Sequence, residues 1–303
     1  MSDPLITQDP IAERRYAYAQ AAARERDWPA AAEVLEQTLE IDPRWAAAWF
    51  ALGEARERLV ELDAARRAFA EALRLDAADR QGASLRLAAL DGRQPDALPP
   101  AYVARLFDDY APRFSSHLTA ELGYRGPQVL SEALNAAAPG RRFRRALDLG
   151  CGSGLAGAAL RTRTDQLVGV DLSPGMIEEA RRTGLYDALE VGDVVAFLNA
   201  EAAGGADLIL AADVFVYLGD LAPALGAAAR ALASDGLLAF TVEAEPGEAF
   251  SLGASLRFRH SRDYVASALA AAGLRPLTLA LASTRREARA DVAGFVVVAG
   301  RAC

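Results

Sequence analysis

Leu147-Asp-Leu-Gly-Cys-Gly-Ser-Gly-Leu-Ala-Gly157 lays two glycine patterns over one another, Gly150-x-Gly152-x-Gly154 and Gly152-x-Gly154-x-x-Gly157. Glycines at this spacing turn the chain tightly from a buried strand into a helix and bring bare backbone close to a nucleotide-like ligand. The run before them, ALDL at 146–149, is apolar except for Asp148 and lacks the alternation of a half-solvated strand. The same texture returns at 167–170 (LVGV), 207–212 (DLILAA) and 236–242 (GLLAFTV). Strands covered on both faces by crossover helices have this composition. Helical periodicity fills the intervals near 154–161, 175–183, 194–201 and 220–233. The pattern predicts an α/β domain on a parallel sheet. After a helix near 262–272, the apolar runs 274–281 and 294–301 have no helical segment between them and predict a closing antiparallel hairpin.

The ligand class turns on two acids. Asp171 ends the run LVGVD, 21 residues after Gly150, where a carboxylate can hold the two hydroxyls of a ribose. A dinucleotide and an S-adenosylmethionine-type donor both present that diol, so Asp171 alone does not separate them. Asp148, two residues before Gly150, does. A pyrophosphate seated on the helix N-terminus would meet its negative charge, whereas an ammonium and a sulfonium would be attracted by it. The charge balance favours S-adenosylmethionine over a nicotinamide dinucleotide.

Composition removes other chemistries. All 33 basic side chains are arginines; with no lysine, a phosphate-loop lysine, a Schiff-base lysine and a Ser-Lys nucleophile are excluded. The formal charge of -8 gives no broad basic face, so nucleic acid is not an expected partner. Two histidines without metal-ligand spacing, and only Cys151 and Cys303, suggest neither a metal site nor a disulfide framework. No uncharged apolar run has membrane-spanning length, and MSDPLITQDP lacks a basic-then-hydrophobic leader pattern. A cytoplasmic setting is the expectation.

The first 90 or so residues differ in texture, being rich in Ala, Leu, Glu and Arg at helical spacing. Trp49, Leu52, Gly53, Ala65, Phe69 and Ala72 follow the order W-x2-L-G … A-x3-F-x2-A. A weaker copy lies 34 residues earlier at Arg15, Tyr18, Ala19, Ala31, Leu35 and Thr38. The segment resembles a tetratricopeptide (TPR) module. The expectation is two helix pairs near 11–41 and 45–76, a capping helix near 79–90, and close approach of Gly53 to Ala65. A generic helical hairpin is the alternative. DGRQPDALPP at 91–100 reads as a linker. The expected organisation is a TPR-like domain over 1–94, linker and lid helices over 95–135, and the α/β domain over 136–303.

The landmarks of the α/β part are similar to those of class I S-adenosylmethionine-dependent methyltransferases, over about 160 residues. LDLGCGSG resembles their first motif, VGVDLSPGMIEEAR (168–181) the second, LEVGDVVAFL (189–198) the third and ADLILAADVFVYLGDL (206–221) the fourth. The resemblance implies a Rossmann-like seven-stranded sheet, with S-adenosylmethionine near Asp148, Gly150, Gly152, Gly154 and Asp213. It implies that Asp171 holds the ribose, that Leu172 and Met176 flank the adenine, and that Asp193 and Val194 lie near its amino group. FDDYAPRF resembles a lid helix of small-molecule methyltransferases, making Tyr110 and Phe114 candidates for closing the cofactor site. The whole arrangement resembles a bacterial group of TPR-containing predicted methyltransferases, in which the helical module would recruit a protein partner or substrate.

Candidates for acceptor chemistry are few. His260 in RFRHSRDY suits a general base ahead of the penultimate helix, or a histidine packing locally at a helix start. Tyr217 suits a face toward the methyl acceptor, or the core. His117 is a further candidate in the lid region. Glu243 and Glu245 could meet a cationic substrate and Arg257 and Arg259 an acidic one, or all four could be solvated. Cys151 reads as a small packing residue, which disfavours cysteine-dependent cytosine methylation, and AADVFVY lacks the Asn/Asp-Pro-Pro-aromatic clamp of amide and adenine N-methyltransferases. The expected function is methyl transfer to O or N of a small-molecule or peptide-bound acceptor. The rivals are an interaction module on a non-catalytic scaffold and a nicotinamide-dependent reductase.

Overall fold

The computed structural model describes residues 3–111, 124–247, 249–253, 255–284, 286–287 and 290–302. The chain divides into two compact units, Met1–Tyr102 and Val103–Cys303.

The first unit contains helices α1 (Pro10–Arg24), α2 (Trp28–Ile41), α3 (Ala46–Arg58), α4 (Leu62–Leu75) and α5 (Ala83–Leu90). Aspartates start the first two: Asp9 accepts from the Ile11 and Ala12 amides, Asp27 from Ala30, and a proline follows each in the first turn. Alanines 12, 19, 31, 32, 48 and 55 are buried, so the helices approach closely around Leu35, Leu52 and Trp45. Two details differ from expectation. Helix α5 begins at Ala83, because Asp79 turns left-handed (φ +57°) and its carboxylate accepts from the Ala83 and Ser84 amides at 2.6 and 3.1 Å. Gly53 makes room for Phe69, not Ala65: a Cβ there would lie 2.6 Å from the fully buried Phe69 ring. Gly53→Ala gains up to about 1 kcal/mol in helix propensity but overpacks this site by about 1–3 kcal/mol. A lower denaturation midpoint of the helical unit, followed by circular dichroism, is the expected result; an unchanged or raised midpoint would contradict the packing.

Helix α6 (Pro100–Tyr110) carries the boundary between the units. The second unit continues with α7 (Gly126–Ala137), β1 (Phe143–Leu149), α8 (Leu155–Leu160), β2 (Thr164–Asp171), α9 (Pro174–Arg182), β3 (Ala188–Val191), α10 (Val194–Ala200), β4 (Ala206–Ala211), α11 (Ala222–Ala231) and β5 (Leu232–Ala244). It ends with β6 (Phe250–Leu252), β7 (Phe258–His260), α12 (Arg262–Ala271), β8 (Leu274–Ala282), β9 (Arg286–Glu287), β10 (Ala290–Asp291) and β11 (Gly294–Arg301). Strands β3-β2-β1-β4-β5-β11-β8 lie side by side in one sheet. The first five are parallel, and β11 runs antiparallel between β5 and β8. Six of these seven strands and the final hairpin follow the apolar runs, while β3, largely exposed, was expected only from the family resemblance. The short β6–β7 pair, with β7 parallel to the end of β5, has no counterpart in the sequence expectation.

Each sheet face has its own core. Leu130, Leu134, Phe143, Leu160, Leu208 and Val298 lie on the face covered by α7 and α8. Leu149, Val170, Phe197, Leu225, Phe240 and Leu269 lie on the face covered by α10, α11 and α12. The segment expected as linker and lid, 95–135, therefore contains most of a core helix, α7. No helix among the described residues is long and apolar enough to cross a membrane.

Candidate functional site

The glycine run leaves β1 at Leu149 and enters α8 through three left-handed glycines, Gly150 (φ +59°), Gly152 (+52°) and Gly154 (+92°). At Gly150 both reasons for glycine apply: a Cβ would be strained by φ and would lie 2.5 Å from Val214 Cγ2 in the fourth landmark. The Cys151 amide donates to Val170 O at 3.0 Å, tying the turn to β2. The Cys151 thiol is buried beside Ile177, Ala180, Tyr186 and Leu189, and burial raises its pKa far above the thiol range, so it packs and does not react.

Asp171 closes the turn from the next strand. Its Oδ2 accepts from the Gly152 amide and its Oδ1 from the Ser173 amide, both at 2.9 Å. Burial raises its pKa, against those two hydrogen bonds. Leu172 is half-buried and Met176 is fully buried on α9. Asp193 caps α10, accepting from the Val195 and Ala196 amides at 2.9 Å, and Val194 is buried beside it.

Asp148 reaches a partner the sequence did not suggest. The Tyr186 hydroxyl donates to Asp148 Oδ2 at 2.7 Å. To get there the ring passes over Gly157, where a Cβ would lie 2.4 Å from the Tyr186 oxygen. The last glycine of GxGxxG thus admits a tyrosine from beyond β2. Asp148 Oδ1 is buried with no hydrogen-bond partner. Burial pushes the carboxyl up to about 7, with the Tyr186 bond opposing. The electrostatic reading of Asp148 is corrected accordingly: near neutral pH it is not a full negative charge until a cation is placed beside it.

A second polar cluster lies beyond the tips of β4 and β5. Asp213 has φ +57°, an uncommon conformation for a residue with a side chain. The Thr241 hydroxyl accepts from the Asp213 amide and donates to its Oδ1, both at 2.9 Å, and the Thr284 hydroxyl donates to Oδ2 at 3.2 Å. Arg257 lies against the same acid. Its Nε donates to Glu243 Oε1 at 2.6 Å and Nη1 to the Tyr217 hydroxyl at 2.9 Å, while Nη2 is 3.5 Å from Asp213 Oδ2. The guanidinium also sits 5.3 Å over the Tyr217 ring. The arginine pair expected to share one role is divided: Arg257 turns inward, and Arg259 is exposed beside Glu245.

From α6, Phe107 meets Tyr217 edge-on at 5.6 Å between ring centres. At the next residue, Asp108 Oδ1 accepts from Ser173 Oγ at 2.5 Å and from the Gly175 amide at 2.9 Å. The lid segment thus touches the second and fourth landmarks through Phe107 and Asp108, neither of which was a candidate. Tyr110 is half-buried at the end of α6. Phe114 and His117 lie outside the described residues.

His260 is enclosed, and its Nδ1 is a buried atom with no hydrogen-bond partner. Its imidazole is fully buried, with Nε2 3.1 Å from Gly219 O and the ring stacked on Tyr264 at 5.8 Å. Burial lowers its pKa to about 4, and α12, which it precedes, is the last helix of the described residues. The enclosure follows from β7: alternation there sends Phe258 and His260 inward and Arg259 outward.

The family described as "Methyltransferase domain" matches residues 147–238. The human methyltransferase-like protein 27 is 37% identical over 117 residues, 38% of this chain and 47% of that protein. The malonyl-[acyl-carrier protein] O-methyltransferase of Enterobacter lignolyticus is 34% identical over 139 residues, 46% of this chain and 52% of that protein. The chain thus spans about half the length of these curated relatives. The Burkholderia thailandensis 1,6-didemethyltoxoflavin-N1-methyltransferase, solved with that compound and S-adenosylhomocysteine, shares the fold at a TM-score of 0.53 and 21% identity, over 69% of this chain and 92% of that one. Residues 147–238 thus match a methyltransferase-domain family, and the α/β unit shares the Rossmann-like fold of that solved methyltransferase.

Proposed function

We propose that the chain transfers a methyl group from S-adenosylmethionine to O or N of a small-molecule or peptide-bound acceptor, and that the helical repeats, as a TPR module, recruit a partner or contribute to the substrate side. One observation carries this reading: Asp148 leaves a buried carboxyl oxygen without a partner beside the glycine turn, where a cationic donor would complete it. The residues fit the donor's groups. Asp148 suits the ammonium, the Asp171 carboxylate the ribose hydroxyls, and Leu172, Met176, Asp193 and Val194 the adenine.

S-adenosylmethionine supplies a methyl group on a positively charged sulfur that leaves as a neutral thioether. The protein's own work is positioning and exclusion of water, which together account for several kcal/mol of such a barrier. The glycines allow close backbone approach. Asp171 couples the glycine turn to the start of α9 through its two accepted hydrogen bonds. Tyr110 closes the cofactor side, with Asp108 anchoring its helix. Asp213 adjoins the cofactor, as its motif implies, and Tyr217 faces the acceptor. His260 braces the Gly219 carbonyl from within the core.

Calorimetry with S-adenosylmethionine and S-adenosylhomocysteine tests the reading. Dissociation constants on the order of micromolar are expected for both. Absence of heat at millimolar ligand, or a fluorescence response to reduced nicotinamide dinucleotide instead, would replace it with the scaffold or reductase alternative.

A further inference from the structure

Arg257 Nη2 is a buried donor with no hydrogen-bond partner, although Nε and Nη1 of the same guanidinium are both engaged. The nearest carboxylate oxygen, Asp213 Oδ2, is 3.5 Å away, within ion-pair range but beyond a good hydrogen bond. Folded proteins rarely leave a charged donor in this state, and each one that does calls for an explanation, a catalytic or binding role among them. The location agrees, because the loops beyond the strand tips are where ligands bind in open α/β sheets. Asp213 is also held in a left-handed conformation by Thr241, so its carboxylate is aimed by the fold and is not a freely rotating loop acid.

Resting on the methyltransferase reading above, we propose that Arg257 Nη2 and Asp213 Oδ2 together receive the methyl-accepting group, and that this group is an uncharged hydroxyl. The pair offers one donor and one acceptor side by side. A hydroxyl is both at once: its lone pair takes the Nη2 hydrogen while its proton points to the carboxylate. An aliphatic amine is protonated near neutral pH, so it has only donors, would lie against a guanidinium, and must first lose a proton to expose a lone pair to the methyl. A carboxylate only accepts, and among the described residues it would meet two carboxylates, Asp213 and Glu243, against one guanidinium. In the reaction the hydroxyl oxygen forms the new bond to the methyl carbon as the carbon–sulfur bond breaks, leaving its electron pair on sulfur. The hydroxyl proton passes to Asp213 Oδ2. Tyr217, fixed by Arg257 Nη1 and by Phe107, forms the wall beside that oxygen.

The test uses the full chain saturated with S-adenosylhomocysteine, whose own binding is measured first by calorimetry. Phenol, benzylamine and benzoate are then titrated as matched one-ring probes and read by saturation-transfer NMR. Phenol is expected to bind at least about tenfold tighter than either of the others. Arg257→Lys keeps the charge but loses the forked donor, and should remove that preference with S-adenosylhomocysteine affinity unchanged. Asp213→Asn removes one negative charge, and should shift the preference toward benzoate by about tenfold. Benzylamine or benzoate bound as tightly as phenol, none of the three bound, or both variants keeping the original preference would overturn the hydroxyl assignment. Failure of S-adenosylhomocysteine to bind the unaltered chain would instead strike the methyl-donor reading, so the two failures are distinguishable.

Discussion

Asp171→Ala is expected to weaken S-adenosylhomocysteine binding by at least about 100-fold, because one carboxylate does two tasks at the tip of β2. It is the group proposed to hold the ribose, and it also accepts the Gly152 and Ser173 amides, which set the glycine turn and the start of α9. Alanine leaves both amides without this acceptor, at about 1–3 kcal/mol for the buried Ser173 amide. The binding loss should therefore come with a lower thermal midpoint. Asp171→Asn separates the two tasks: its carbonyl oxygen still accepts from one amide, so stability recovers in part while binding stays weak. Calorimetry on both variants checks this, and an affinity within about twofold of the unaltered chain for Asp171→Ala would remove Asp171 from the cofactor site.

Asp148→Asn is expected to move stability and binding in opposite directions. Burial raises the Asp148 carboxyl to about 7 in the folded chain, so the fold favours its protonated form. Between an ordinary carboxylate pKa and about 7 the native state holds a proton that the unfolded chain has lost, so stability contributed by this group falls as pH rises through that window. At pH 8 the full cost is on the order of 4 kcal/mol, and Asn, which never ionises, avoids it. His260 has the opposite slope. Its lowered pKa of about 4 means that the unfolded chain takes up the proton first, so its contribution is lost as pH falls from about 6.5 to 4. Both chains contain His260, so the difference between them isolates Asp148. The Asn variant should be more stable at pH 8 and converge with the parent near pH 4. Its affinity for S-adenosylhomocysteine at pH 8 should fall by about 10- to 100-fold, the loss expected for one charge-assisted hydrogen bond. Parallel stability curves, or unchanged affinity, would show that the orphaned Oδ1 is not the ammonium site.

The two acids differ in how readable they were. Asp171 stands at the end of an apolar run, at a spacing from the glycines that any ribose-binding turn of this kind requires, and its place in the structure follows from chain geometry. Asp148 was legible as a charge near the turn but not as a titrating one. What raises its pKa is burial, and the hydrogen bond that opposes the rise comes from Tyr186, 38 residues away. Gly157 had been readable only as part of a pattern; its steric purpose is that tyrosine. His260 is enclosed for a related reason. RFRH reads only as the stretch ahead of a helix, yet its alternation is that of a short strand paired to β5 and β6. That pairing, which no local periodicity announces in three residues, sends the imidazole into the core.

The order of apolar runs and glycines was enough to determine the parallel sheet, its antiparallel closure and the turn at the tip of β1. Such features depend on neighbours within one strand, one helix or one turn. The helical texture of the first unit was determined in the same way. The constellation around Arg257 was decided only by tertiary structure. It joins Tyr217, 40 residues away, to Glu243, 14 away, and to an Asp213 held by Thr284 across 71 residues. Apolar burial selects the sheet from short-range pattern, but a charged group becomes a site only when distant strands bring its partners within hydrogen-bond reach and exclude water from it.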